Sequence, residues 1–272
     1  MITYPNAKIN IGLNVVEKRQ DGYHNIETVF YPIGLCDVLE IEPSEGCTDY
    51  SFSASGIPLS GDPEENLILK AYRLLQSEYD IPPVDISLIK QIPFGAGLGG
   101  GSADAAFTLK MLNEMFELKI TPRKLEKMAA DLGADCPVFI RNKAVFATGI
   151  GNIFTPVKIS LKGYFLVLIK PDIHVSTPEA DSLVIPEKPD VSIAENIQRP
   201  ISEWKALIKN DFEKSVFALH PEIAEIKNNL YAAGAVYASM SGSGSSVYGL
   251  FESEPVLDFK LHNCFVTGGM LK

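Results

Sequence analysis

Pro93-Phe-Gly95-Ala-Gly97-Leu-Gly99-Gly100-Gly101-Ser102-Ala-Asp104-Ala-Ala106 is the most informative stretch of this chain. Five of the seven residues from Gly95 to Gly101 are glycines, a density with no packing purpose. Without Cβ atoms the backbone can approach a polyphosphate closely, and the N–H groups of a following helix can point at its oxygens. The spacing predicts that helix over 102–116. The bland alternative is a flexible loop capped by Ser102. Gly95-x-Gly97-x-x-Gly100 also satisfies the dinucleotide fingerprint, but it lies mid-chain behind Pro93 and outside any predicted βαβ unit. Compared with a P-loop, Gly101 occupies the lysine position, so a cation must come from elsewhere in the fold.

Upstream, 84–92 reads as a strand stopped by Pro93. Asn66 to Tyr79 reads as a helix, with Leu67, Ala71, Leu74, Leu75 and Tyr79 on one face and a polar lead-in from Gly61 to Glu65. At the start of the chain Ile9, Ile11, Leu13 and Val15 alternate with Lys8, Asn10, Gly12 and Asn14, a strand with one apolar and one polar face. A turn at 19–23 and strands at 25–33 and 38–42 follow. Lys8 is the candidate for the missing cation. A solvated surface lysine is its ordinary alternative, against which Asn10 and Asn14 on the same face argue for a site.

Downstream, Thr121 can cap a third helix that Pro122 opens and Gly133 ends. Asp135, in Gly133-Ala-Asp135-Cys-Pro137-Val-Phe139, follows that stop and precedes an apolar run read as a strand. Phosphoryl transfer needs positioning, charge neutralisation and a carboxylate to accept the hydroxyl proton, so Lys8 and Asp135 form a coherent pair; alone, Asp135 reads first as a turn or cap residue. Strands are expected at 144–147 and 164–169, little structure over 178–199, then two helices, the second from Pro221 to about Ala233 with Gly234 as its stop. A hairpin closes the chain, 236–240 and 247–251 around Ser241-Gly-Ser-Gly-Ser-Ser246, a turn that either lines a pocket or merely connects. Asp21-Gly22-Tyr23-His24 is likewise a plain turn or a platform for a flat base.

The mixture of helices and strands without regular alternation indicates an α+β class, with a seam near Pro156 dividing 1–156 from 157–272. A chain of 272 residues that is 46% apolar can bury a sizeable core. A formal charge of −10 argues against nucleic-acid binding. No apolar run approaches the ~20 residues of a membrane span, and Met1 to Asn10 lacks the pattern of a leader, so a cytoplasmic location is expected. Cys36, Cys47, Cys136 and Cys264 show neither a C-x-x-C pair nor a nearby His, which suggests reduced thiols and no metal site.

Taken together, Pro5-Asn-Ala-Lys8-Ile-Asn10, Asp21-Gly-Tyr23-His24, Asn66-Leu67, Pro93 to Ala106, Gly133-Ala-Asp135-x-Pro137-Val-Phe139, Gly149-x-Gly151 and Ser241 to Ser245 resemble the GHMP kinase superfamily over essentially the whole chain. The resemblance implies a two-domain fold, an N-terminal part like ribosomal protein S5 domain 2 and a C-terminal ferredoxin-like part. It implies ATP as phosphoryl donor with Mg²⁺ on its phosphates, Asp135 as base and Lys8 as its partner. By position, Pro93, Gly95, Gly97, Leu98, Gly99, Gly100, Gly101 and Ser102 would hold the phosphates, with Asn66 on the adenine side. Asn10, Tyr23, His24 and Thr177 would contact a small-molecule substrate, a cytidine-diphosphate polyol phosphorylated on its 2-hydroxyl, with Tyr23 stacking on the base and His24 hydrogen-bonding to it. Near Asp181 such kinases place a second stacking aromatic, which an aspartate cannot replace; either the alignment slips there or the sandwich is one-sided. A homoserine, galactose or mevalonate type of kinase and a non-catalytic ligand sensor remain open, as does the choice between monomer and homodimer.

Overall fold

The computed structural model describes residues 1–46, 48–59 and 62–272; Cys47 and Gly61 lie outside them. The opening alternation forms β1 (Ile2–Thr3) and β2 (Asn6–Lys18). The tight turn expected at 19–23 is present, closed by the Arg19 N–H donating to the Tyr23 carbonyl at 2.8 Å. It leads into β3 (His24–Cys36), then β4 (Val38–Pro43) and β5 (Tyr50–Gly56). The predicted helix appears as α1 (Leu67–Glu78), capped by Asn66, whose Oδ1 accepts from the Ile68 N–H at 2.9 Å. β6 (Val84–Lys90) follows, with alternate residues buried.

The glycine stretch runs into α2 (Gly100–Met115), two residues earlier than expected. Its N-cap is Gly99 at φ +70°, with no side-chain cap, so Ser102 lies inside the helix and does not cap it. α3 (Pro122–Leu132) has the expected punctuation: Thr121 caps it, Pro122 opens it and Gly133 ends it. The run after Asp135 is not a strand. It is α4 (Cys136–Arg141), with Asp135 at the N-cap position and Pro137 in the first turn. Cys136 to Ile140 are all buried, so the segment carries no periodicity from which helix could be told from strand.

β7 (Val145–Thr148), β8 (Ile153–Pro156) and β9 (Phe165–Pro171) follow. The acidic, proline-rich stretch contains two one-turn helices, α5 (Thr177–Asp181) and α6 (Ile193–Asn196). Three helices then stand where two were expected: α7 (Ile201–Leu207), α8 (Glu213–Leu219) and α9 (Pro221–Ala232). The hairpin β10 (Tyr237–Met240) and β11 (Val247–Phe251) forms in the expected antiparallel register. It does not close the chain, because β12 (Cys264–Met270) pairs antiparallel with β9.

The chain folds into two compact units. The first comprises Met1–Ala7, Leu35–Phe94 and Gly99–Lys143; its sheet has the order β1-β4-β6-β5, with β5 and β6 parallel and α1 between them in sequence. The second comprises Lys8–Gly34, Gly95–Leu98 and Ala144–Lys272, and contains the sheet β10-β11-β9-β12 and most of β2-β3-β7-β8. In this second unit the Leu13 N–H donates to the Lys209 carbonyl at 2.9 Å and the Asp211 N–H to the Leu13 carbonyl at 2.8 Å. The segment around Asn210 thus lies along β2. Gly12, at φ +69°, leaves room for it: a Cβ there would come within 3.0 Å of Ile193 Cδ1 and 3.3 Å of the Lys209 carbonyl oxygen.

Candidate active site

Both faces of β2 are buried, and this decides what Lys8 can do. Lys8 is 3% exposed and Asn10 2%, so neither is a solvated surface residue. A buried ammonium is stable only where acceptors replace its water. Lys8 Nζ donates to Asn10 Oδ1 at 2.7 Å and to the Gly97 carbonyl at 3.0 Å, and stands 4.8 Å from the centre of the Phe30 ring. Its backbone N–H donates to the Leu98 carbonyl at 2.9 Å. Lys8 therefore grips the glycine stretch at two consecutive residues.

The network continues behind it. Asn10 Nδ2 donates to Thr28 Oγ1 at 2.9 Å, and Thr28 Oγ1 donates to the Gly12 carbonyl at 2.6 Å. The Asn10 N–H donates to Ser241 Oγ at 3.1 Å, which itself donates to the Gly97 carbonyl at 2.8 Å. Tyr248 donates its hydroxyl hydrogen to the Asn10 carbonyl at 2.9 Å. The Ser241–Ser246 turn is thus a hairpin connection that also holds Gly97 in place. Gly97 has φ +72°, and a Cβ there would overlap the Ser241 carbonyl oxygen. Asn10, expected at the substrate, has its side chain engaged by Lys8 and Thr28.

In the other unit, β6 delivers a second buried lysine. Lys90 falls on the same face as Val84, Ile86 and Leu88, and its ammonium pairs with Asp37 and, at 2.7 Å, with Asp104 Oδ2. Asp37 Oδ1 also accepts the Gln91 N–H at 2.6 Å and the Ile92 N–H at 2.8 Å, which fixes the strand end just before Pro93. Burial pushes the Asp104 carboxyl up to about 7, against the attraction of Lys90 and with the repulsion of Asp37. Gly100 sits over this cluster, and a Cβ there would come within 3.1 Å of Lys90 Nζ. Pro93 is buried, while Gly101 and Ser102 are partly exposed in the first turn of α2. That turn, lacking a side-chain cap, suits an anion such as a phosphate.

Asp135 is half-buried at the start of α4, and its side chain does not cap that helix. Its neighbour Cys136 hydrogen-bonds to Ser102; burial pushes the Cys136 thiol up to about 11, the Ser102 bond lowers it and the Asp135 charge raises it. The start of α4 thus lies beside the first turn of α2. Asn66, expected near adenine, uses its Oδ1 as a helix cap.

The remaining expected contacts lie in the second unit. Tyr23 is 63% exposed at a turn tip that Arg19 and Asp21 brace, and the Arg19 guanidinium holds the Asp21 carboxyl below the usual carboxylate range. His24 Nδ1 lies 3.1 Å from Asp181 Oδ1. Thr177 is exposed on the first turn of α5. Among the described residues no cluster of three His, Cys, Asp or Glu side chains could hold a metal ion, and no helix is long and apolar enough to cross a membrane.

Family models for the GHMP kinases N terminal domain and the GHMP kinases C terminal match residues 66–143 and 193–262. The chain is similar to the 4-diphosphocytidyl-2-C-methyl-D-erythritol kinase of Bacteroides fragilis, with 60% identity over 271 residues, 98% of this chain and 99% of the relative. The protein of the same name from Parabacteroides distasonis is 57% identical over 275 residues, the full length of both. Among solved structures, a 4-(cytidine 5'-diphospho)-2C-methyl-D-erythritol kinase superposes with a TM-score of 0.79 at 34% identity, covering 92% of this chain and 90% of that one. The mevalonate kinase of Methanococcus jannaschii shares the fold, with a TM-score of 0.71 at 14% identity over 100% of this chain and 98% of that one. With matches to both halves and full-length relatives more than half identical to it, this chain belongs to the GHMP kinases.

Proposed function

We propose that the protein transfers the γ-phosphoryl group of ATP to the 2-hydroxyl of 4-(cytidine 5'-diphospho)-2-C-methyl-D-erythritol, a step in non-mevalonate isoprenoid precursor biosynthesis. The carrying observation for the phosphoryl chemistry is the buried Lys8 ammonium held at the Gly97 carbonyl, a cation brought to a glycine-rich anion cradle that has no lysine of its own. The acceptor is inferred from the names of the full-length relatives.

In this reading Gly95 to Ser102, with Pro93 and Leu98 fixing the backbone, hold the ATP phosphates, and Asn66 stands on the adenine side. Mg²⁺ bound with the ATP would supply neutralisation of the phosphate charge. Asp135 accepts the proton of the 2-hydroxyl, and Lys8 draws off charge developing on the transferred group. Tyr23 offers a ring for the base to stack on, and His24, Asn10 and Thr177 complete the substrate wall. The half-burial of Asp135 beside the first turn of α2 supports its role.

The same reading has 1–156 as N-terminal and 157–272 as C-terminal domain, and Pro156 falls in the interval between the two family matches. It takes the protein as cytoplasmic, a monomer or homodimer, and free of nucleic-acid partners, in keeping with a formal charge of −10. The test is ADP release by the pure protein with ATP and Mg²⁺, with and without the cytidine diphosphate polyol. Release stimulated instead by homoserine, galactose or mevalonate would overturn the acceptor assignment, and binding without release would overturn the kinase itself.

A further inference from the structure

We propose that His174 is a further phosphate-binding residue of this site: its ring lies against Gly95 and donates a hydrogen bond to a phosphate oxygen of a bound ligand, either ATP or the diphosphate of the acceptor. The inference rests on the reading above that the glycine stretch holds phosphates. A Cβ built on Gly95 would come within 2.9 Å of His174 Nδ1 and 3.1 Å of its Cε1. The imidazole therefore takes the place that a side chain at 95 would fill, and only a glycine lets it come so close. Among the described residues no group hydrogen-bonds to that ring, and the residue is exposed. An imidazole without a protein partner keeps a donor nitrogen available, and as imidazolium both nitrogens donate. A chain with a formal charge of −10 must hold an anion by local donors, and Lys8 is the cation already placed at Gly97.

His174 is presented by a segment pinned on both sides. Just before it, the Ile173 carbonyl accepts from Ser245 Oγ at 2.6 Å, and the Ile173 N–H donates to the Pro171 carbonyl at 2.7 Å. Just after it, Val175 is 4% exposed in the core of the second unit, and Ser176 caps α5. The turn that holds Gly97 through Ser241 thus also holds the backbone beside His174 through Ser245. Glu179 stands near enough to feel the charge of a protonated His174, yet it is engaged elsewhere: its 2.8 Å contact with His220 is the main cause that holds its carboxyl below the usual carboxylate range. A ring fixed at the glycines, unpaired and exposed, is left for a ligand.

The experiment reads the ring directly. The chain has four histidines, so H174Q removes one of four sets of ring signals from a long-range ¹H–¹⁵N spectrum and assigns it. A non-hydrolysable ATP analogue, cytidine diphosphate and adenosine are each added to the full-length protein, and calorimetry measures their binding in parallel. The His174 signals should move with the ATP analogue; movement with cytidine diphosphate alone would place the oxygen in the acceptor and still support a phosphate contact. H174A should raise Kd for the ligand that moves the ring roughly tenfold, the worth of one hydrogen bond to a charged group. H174Q keeps a donor and should bind within about threefold of wild type. A ring unmoved by either bound phosphate ligand, one moved equally by adenosine, or an unchanged Kd in H174A would overturn the proposal and leave the kinase reading standing. A wild type that binds no ATP analogue at all would sink the phosphate cradle itself, and the part of His174 with it.

Discussion

Replacing Gly97 by Ala should displace the glycine stretch while leaving every side chain assigned to the chemistry in the sequence. Gly97 has φ +72°, a conformation that costs a residue with a Cβ about 1–2 kcal/mol. The new Cβ would overlap the Ser241 carbonyl oxygen, so either the stretch or the hairpin turn must give way. Giving way breaks the 2.8 Å bond from Ser241 Oγ to the Gly97 carbonyl and the 3.0 Å bond from Lys8 Nζ. These are worth about 1 kcal/mol for the neutral donor and about 1.5–3 kcal/mol for the charged one. The placement of the stretch therefore weakens by about 3.5–6 kcal/mol in all, enough to lower kcat/KM by roughly 300-fold to 10⁴-fold, since each 1.4 kcal/mol is tenfold. The assay is ADP release at varied ATP, alongside thermal melting. Gly101→Ala is the stability control: the nearest atom to its Cβ would be Leu67 Cδ1 at 3.7 Å, and an alanine inside α2 should be neutral or slightly stabilising. A G97A protein with wild-type melting and wild-type KM for ATP would refute the claim that Ser241 and Lys8 lock this backbone.

Asp135→Asn should abolish turnover and leave ATP affinity within about threefold; calorimetric titration with a non-hydrolysable analogue, beside the ADP assay, checks both, and retained turnover removes Asp135 as base. Lys8→Met keeps the length of the side chain and removes its charge, so kcat should fall by at least ~10² while the protein stays folded, and near-normal kcat would leave the glycine cradle without its assigned cation. The Asp104 carboxyl titrates near 7 in the folded protein and near 3.8 as a free group, so the folded state binds the extra proton across that window. Its contribution to stability accordingly falls as pH rises from about 4 to 7 and is lowest above 7. Asp104→Asn should flatten that part of the melting-temperature profile; an identical slope in wild type and variant would show that Asp104 does not titrate there.

The elements legible in the sequence were those with punctuation or period. The strand at 84–90 showed strict alternation, α3 had its cap, proline and glycine, and the hairpin of β10 and β11 had a glycine–serine turn between two apolar runs. What was misread or missed lacked such marks. α4 is apolar on every side. β5 is serine-rich and largely exposed, and β12 contains two glycines. Of the site, the glycine stretch was readable from composition, whereas the hold on Gly97 by Ser241 joins residues 144 positions apart, which no local pattern reveals. Lys90 did carry a signal: in β6 it occupies the apolar phase of the alternation, and a charge in that phase must find a buried partner. Asp104, alone among alanines, is that partner's trace in the sequence.

The Lys90, Asp37 and Asp104 cluster also constrains how this chain can change. Removing Lys90 leaves two carboxylates facing each other away from water, a loss of about 3–5 kcal/mol. Oily residues can replace many interior ion pairs as a set, but Asp37 also serves the backbone of Gln91 and Ile92, which no hydrocarbon can do. Any tolerated change at these positions is therefore a concerted exchange that keeps an acceptor at 37, and the footing of the glycine stretch cannot be altered one residue at a time.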